Sequence, residues 1–244
     1  NYADANPKLI LMALNGIQML VSFEMIPASD VKNLLRVFSI QAASGKPELQ
    51  LKILQMLLHL ASLLSAREDQ ANYLTEPTVR GFFNIMLSMS SDGCSMSVST
   101  TALATTRQMV AIILDPLRES TRTTSMPQYS REVKEGFSKS AVAFVGDLTL
   151  YAKGDSGEWC RGIQIQQNAA FDLLDYTMTG WRDVFLADAA FSTFVKESIF
   201  PTLKAMMRDL QEEYAHQVIK DGIQVAAAFA SRVVRLARTF LLNF

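Results

Sequence analysis

Apolar residues recur along this chain at spacings of three and four, separated by polar ones, which is the period of an amphipathic α-helix. Asn6 and Pro7 read as a helix start, with Asn6 as the cap and Pro7 in the first turn. Ile10, Leu14, Ile17 and Val21 then fall on one face, and Pro27 stops the helix. Ser29 or Asp30 caps a second helix, with Val31, Leu34, Leu35 and Phe38 inward and Lys32, Asn33 and Arg36 outward. After the turn at "ASGKPE", Leu49 to Leu64 is apolar nearly all round, so this third helix needs neighbours on several sides.

The same period continues to the end of the chain. Thr75-Glu76-Pro77 opens a fourth helix carrying Phe82, Phe83 and Met86, and "SSDGCS" breaks it. A fifth is expected over roughly 97–117, with Pro116 marking its end because proline lacks an amide. The polar stretch "RESTRTTSMPQYS" reads as a mobile loop. Phe137, Ala141, Phe144, Leu148 and Tyr151 make the stripe of a sixth helix. A seventh is expected from about 158 to 179, with Trp181 to Leu186 a short turn. An eighth runs from about 189 to 210 with Phe191, Phe194, Ile199, Leu203 and Met206, and a ninth from about 214 to 243. No segment alternates as a strand does, and no hairpin signal occurs. The first four helices make two antiparallel pairs of about 40 residues each, the period of armadillo and HEAT units. The expected fold is all-α, an α-solenoid in which each helix pair covers its neighbour's apolar face.

Composition narrows the function. With 244 residues, 49% hydrophobic and 19% charged, the chain is globular with a sizeable core. A net charge of -1 gives no overall field to recruit nucleic acid or anionic lipid. Cys94 and Cys160 lie far apart and read as small buried hydrophobes in a reducing compartment. Two cysteines and two histidines cannot assemble a zinc-type cluster with normal spacing, so no metal or other cofactor is expected. No apolar run is read as reaching the length of a membrane span, and no signal peptide is seen, although the chain opens without Met.

One motif raises the question of catalysis. Gly154-Asp155-Ser156-Gly157 is the tetrapeptide that surrounds the nucleophile of trypsin-like proteases. Such a mechanism needs a histidine base oriented by a buried aspartate between β-barrels. Only His59 and His216 exist, His59 inside the most apolar helix and His216 without an evident partner. The same four residues are what a tight turn between helices needs. No phosphate loop, dinucleotide fingerprint or helical zinc pair appears, and Glu212 and Glu213 read as solvated surface. No catalytic residue is assigned. The twelve methionines read mainly as core gap-fillers, with a Met-rich partner groove as the alternative. Arg232, Arg235 and Arg238 form a drifting basic stripe, either a solvated face or a contact for an acidic partner or lipid headgroups. Trp159 and Trp181 read as packing anchors at helix ends.

A resemblance sharpens this picture. Pro7-Lys8 followed by Ile17-Gln18-Met19-Leu20 resembles the N-terminal region of the Golgi monensin-sensitivity (Mon-two) family and, more distantly, the large Arf exchange factors. "ELQLKILQMLLHLAS" (48–62) is similar to the family's Glu-Leu-Lys-Leu-Leu-Gln helix. "ALATTRQMVAIILDPL" (102–117) is similar to its Ala-Thr-x-Arg-Gln-Val-Val helix through Ala104, Thr105 or Thr106, Arg107, Gln108 and Val110. Residues 171–203 resemble its Leu-Glu-Leu-Leu-Glu helix, Val-Phe-Leu corner and Phe-x-x-x-Leu-Lys-Glu helix. These are mostly packing residues, so they specify fold better than chemistry. The resemblance implies a dimerisation and cyclophilin-binding (DCB) domain over 1–210, with the family's first helices missing, and 211–244 starting the homology-upstream region. The loop at 118–132 does not match. The Trp159 and Arg107 contexts favour the scaffold branch.

The resemblance therefore implies a non-catalytic regulatory domain of a Golgi–endosome trafficking protein, peripheral on those membranes. It would bind an Arf-like small GTPase in its GTP form and helical segments downstream in its own chain, and form a homodimer. No nucleic-acid partner is expected. The equivalent domain of a catalytic Arf exchange factor and an unrelated α-solenoid adaptor are the alternatives. One prediction follows from the turn reading: a fluorophosphonate probe will leave Ser156 unlabelled, and Ser156→Ala will label no differently from the parent. Covalent labelling at Ser156 would restore the protease reading.

Overall fold

The computed structural model describes residues 7–67, 69, 72–91, 93–122, 131–187, 189–205, 208, 234 and 238. Among them there is no strand; the chain folds as α1 (Pro7–Ser22), α2 (Ala28–Ala42), α3 (Pro47–Ala66), α4 (Glu76–Ser88), α5 (Met96–Arg122), α6 (Arg131–Lys153), α7 (Gln167–Gly180), α8 (Arg182–Ala187) and α9 (Ala189–Phe194). A π-helical turn, Val195–Ile199, follows α9, and the chain is helical again through 205. Helices two apart in sequence lie side by side: α1, α3 and α5 in one layer, α2, α4 and α6 in the other. α7 packs on α5 and α6, and α8 on α5. This is the two-layered, neighbour-on-neighbour packing of a helical solenoid.

The apolar stripes face inward as their spacing dictates. Leu14 and Val21 of α1 are buried, with Ile10 and Ile17 packed against the core. Val31, Leu34, Leu35 and Phe38 of α2 are buried, while Lys32, Asn33 and Arg36 are exposed. Phe83 of α4 stacks on Phe144 of α6, ring centroids 4.1 Å apart, which locks the second layer. Buried threonines cause no deficit, because Thr106, Thr149 and Thr177 each donate to the carbonyl four residues back. Gln50, buried in α3, donates from Nε2 to the Ala42 carbonyl at the end of α2 at 2.9 Å, tying the two helices across their turn.

Several boundaries differ from the sequence expectation, each for a physical reason. α1 ends at Ser22, before Pro27, because Glu24 adopts φ 56° and closes the helix with amide bonds from Glu24 to Val21 and from Met25 to Leu20. Pro27, not Ser29 or Asp30, stands at the cap of α2, and no side chain caps it. α5 continues through Pro116 to Arg122. Proline removes one backbone bond there, but Pro116 and Leu117 are buried and the extra turn carries Arg118 into contacts with α7 and α8. α7 begins at Gln167 rather than near 158, and residues 158–166 form a loop. Trp181 to Leu186 is largely helical. Met206, most of the loop at 118–130 and nearly all of the expected ninth helix lie outside the described residues; Val234 and Arg238 within that helix are helical and exposed.

α3 also corrects the reading of membrane spans. Among the described helices it alone is long and apolar enough to cross a membrane by length and composition. It is instead the central helix, enclosed by α1, α2 and α5, with Leu49, Ile53, Leu54, Leu57, Leu60 and Leu64 buried. Leu57 is 0% exposed. Leu57→Asp places an unpaired carboxylate there, a loss of several kcal/mol and a large part of a domain's whole stability. The variant is expected to purify as aggregate or to lose its cooperative thermal transition in circular dichroism; melting within a few degrees of the parent would contradict the burial of α3.

Candidate interaction surfaces

The Gly154–Gly157 segment is a turn built around Asp147. Gly154 has φ 87°, a left-handed conformation that an L side chain rarely adopts. Its amide bonds the Tyr151 carbonyl and that of Asp155 bonds Leu150, the paired bonds of a Schellman ending. The chain then folds back over α6. Asp147, 2% exposed, accepts amide bonds at Oδ1 from Glu158 (2.7 Å) and Trp159 (3.1 Å) and at Oδ2 from Cys160 (2.6 Å). Tyr151 donates its hydroxyl to the Cys160 carbonyl at 2.9 Å. Gly157 lies so close that a Cβ there would strike the Tyr151 phenol and approach Asp147 Oδ2 within 2.8 Å.

This arrangement holds a loop and leaves no nucleophile armed. Ser156 is exposed, Asp155 pairs with Lys153 at 3.3 Å, and His59 shares a 3.1 Å hydrogen bond with Ser22 across α1 and α3. His216 lies outside the described residues. Burial pushes the Cys160 thiol above its ordinary range, with the Asp147 carboxylate adding to the effect, so the reactive thiolate is suppressed. Burial likewise raises the Tyr151 phenol, with Cys160 and Asp147 adding. Cys160 is buried as expected of a small hydrophobe, and Cys94 is half-buried against the core.

Both tryptophans are anchors with a polar end. Trp159 sits in the loop, not at a helix end; its ring lies 5.9 Å from Phe83 and its indole N–H donates to Glu76 Oε1 on α4. Trp181 fills the α7–α8 junction and donates to Asp115 Oδ1 of α5 at 2.7 Å. Arg118 completes that corner: its Nε donates to Asp183 at 3.1 Å, an Nη donates to the Gly180 carbonyl, and its guanidinium lies 5.5 Å from the Trp181 ring centroid. Arg118 thus ties the end of α5 to α7 and α8.

Two surfaces could meet a partner. Of the basic stripe, Arg238 is helical and exposed, while Arg232 and Arg235 lie outside the described residues. The other surface escaped the sequence reading. α1 is apolar on its outer face as well: Leu9, Met12 and Met19, with Phe23 just past its end, are between 61% and 70% exposed. Met12 and Met19 are therefore not core gap-fillers, and neither are exposed Met25 and Met96, whereas Met56, Met86, Met89, Met109 and Met178 are buried. The signal was present in the sequence as apolar residues beyond the inward stripe of α1.

Against known families, residues 3–120 match the model described as DCB: Mon2/Sec7/BIG1-like, dimerisation and cyclophilin-binding domain. The matched stretch takes in α1 to α4 and nearly all of α5. Comparison with curated proteins and with solved structures returned no match.

Asp147→Ala leaves three amides without their acceptor, a loss on the order of 3 kcal/mol. The expected outcome is a lower melting temperature with helical content retained, and faster reaction of Cys160 with a thiol reagent at pH 8. Unchanged stability and unchanged Cys160 reactivity would show that the loop does not depend on this carboxylate.

Proposed function

We propose, because residues 3–120 match the DCB domain model of Mon2/Sec7/BIG1-like proteins, that this chain is a non-catalytic scaffold module of a Golgi–endosome trafficking protein. The observation that carries the reading is the family match itself, laid over a stack of packed helices among the described residues. The family's domain is described by association, and the side chains around the one protease-like motif serve to hold a loop. Association takes three forms in this proposal: with a second copy, with helical segments elsewhere in the same protein, and with an Arf-like small GTPase. The contexts of Arg107 and Trp159 support the scaffold branch over the catalytic exchange factors. The division into a DCB domain over 1–210 and a homology-upstream start at 211–244 belongs to the same proposal.

Recruitment to a membrane by a GTPase requires different affinities for its two nucleotide states, since equal affinity switches nothing. Binding is expected to the GTP-loaded form of an Arf-like GTPase in preference to the GDP-loaded form, with no acceleration of fluorescent GDP release. Reversing Arg232, Arg235 and Arg238 together to Glu is expected to weaken capture by an acidic partner, most visibly at low salt, with little change in helical content. Accelerated release would favour the exchange-factor reading, and equal capture of both forms would remove the recruitment role.

A further inference from the structure

We propose that Arg107, on the seam between α5 and α7, is a recognition residue whose guanidinium takes the carboxylate of an aspartate or glutamate on a partner protein. The inference rests on the association part of the proposed function and gives it a surface and a chemistry.

Along this seam α5 and α7 run in the same direction, since Arg107 meets Tyr176, Asp115 meets Trp181 and Arg118 meets Asp183 in that order. The Arg107 guanidinium lies 5.6 Å from the Tyr176 ring centroid, Tyr176 stands edge-on to Trp181 at 5.5 Å, and the Arg118 guanidinium lies 5.5 Å from Trp181. Each arginine rests on an aromatic ring, which positions the cation without neutralising it. The two ends then differ. Arg118 donates to Asp183 and to the Gly180 carbonyl. Arg107 Nε is buried and has no acceptor. Arg67 and Arg80, also partly buried, pair with Asp69 and Glu76. A buried donor without an acceptor destabilises a fold, and proteins satisfy nearly all such groups, so this one calls for a cause.

The surroundings select the occupant. Asp172 and Asp175, the carboxylates of α7 nearest Tyr176 in sequence, are half-buried and have partners of their own, and Asp115 serves Trp181. No hydrogen bond holds Arg107 Nε in place, so turning the guanidinium outward to a partner costs only its contact with Tyr176. There is room for that turn. Ala104, small and exposed, lies one turn back on α5, the direction in which a helical side chain leans. Gly180, one turn beyond Tyr176, is exposed with open space above it. One guanidinium matches one carboxylate. A phosphate-rich surface, lipid or nucleic acid, draws on several cations together, and here the neighbours are the aspartates just named. The flanking rings favour a protein: tyrosine, tryptophan and arginine are the side chains that dominate protein–protein contacts.

The test is selection of a phage-displayed library of random peptides on the full 244-residue chain, with fluorescence anisotropy of synthetic copies of the enriched peptides. Binders are expected to carry an Asp or Glu whose change to Asn or Gln weakens binding about 10- to 100-fold, the worth of a hydrogen bond to a charged group. Arg107→Met is expected to weaken the same peptides as much, and the peptide and protein changes together to cost little more than either alone. Arg107→Lys, which keeps the charge and loses the planar fork, is expected to retain only part of the binding. Arg107→Met is also expected to melt no lower than the parent, because no hydrogen bond at Nε is lost. A variant that melts lower while binding is unchanged would make Arg107 a packing residue and overturn the proposal. Peptides that bind regardless of Arg107, or a library that yields no acidic binder, would overturn this surface, and the GTPase capture assay decides the association reading separately. Binding to phosphatidylserine vesicles that Arg107→Met abolishes would overturn the assignment to a protein carboxylate in favour of a lipid headgroup.

Discussion

The structure turns on the enclosure of α3. A helix apolar on nearly every side cannot remain at a surface, so it requires α1, α2 and α5 around it before any other packing is settled. With α3 central, α1 and α5 are placed on either side of it in one layer, and α2 and α4 follow in the other. The same all-round apolarity that gives α3 the composition of a membrane span makes it the pivot of a two-layered stack. Burial of this kind is non-directional, which is why the periodicity of apolar residues carries so much of the architecture.

Most of that architecture was legible in the chain. Inward stripes at Val31–Phe38 and Phe137–Tyr151 repeat at three and four, and the helices bury those residues. What periodicity could not show were contacts between residues that are distant in sequence. Pro116 looks like an end because a proline lacks an amide, yet Arg118 reaches Asp183 and Gly180 some sixty residues on and the helix persists. Residues 158–166 look like the start of a helix because nothing local announces that Asp147 will take three of their amides. Glu24 looks like an ordinary surface residue, and its positive φ is visible only in three dimensions.

The exposed surfaces divide along the same line. The protease-like tetrapeptide was correctly read as a turn, since the turn chemistry of Gly and Asp is local. The basic stripe at Arg232, Arg235 and Arg238 was read from spacing, and Arg238 is exposed. The outer face of α1 was missed because a helix in a solenoid is expected to be apolar, and a sequence does not say which of two apolar faces has a neighbour. Met12 and Met19 have the composition of core residues and lie exposed. The family match names association rather than chemistry.

The central claim is that α1, α2 and α5 close around α3, bury its apolar positions and so hold the stack together. Hydrogen–deuterium exchange of the whole chain, followed peptide by peptide, tests it most directly. Amides of 49–64 are expected to exchange most slowly of all the helices. Fast exchange in 49–64 would contradict it.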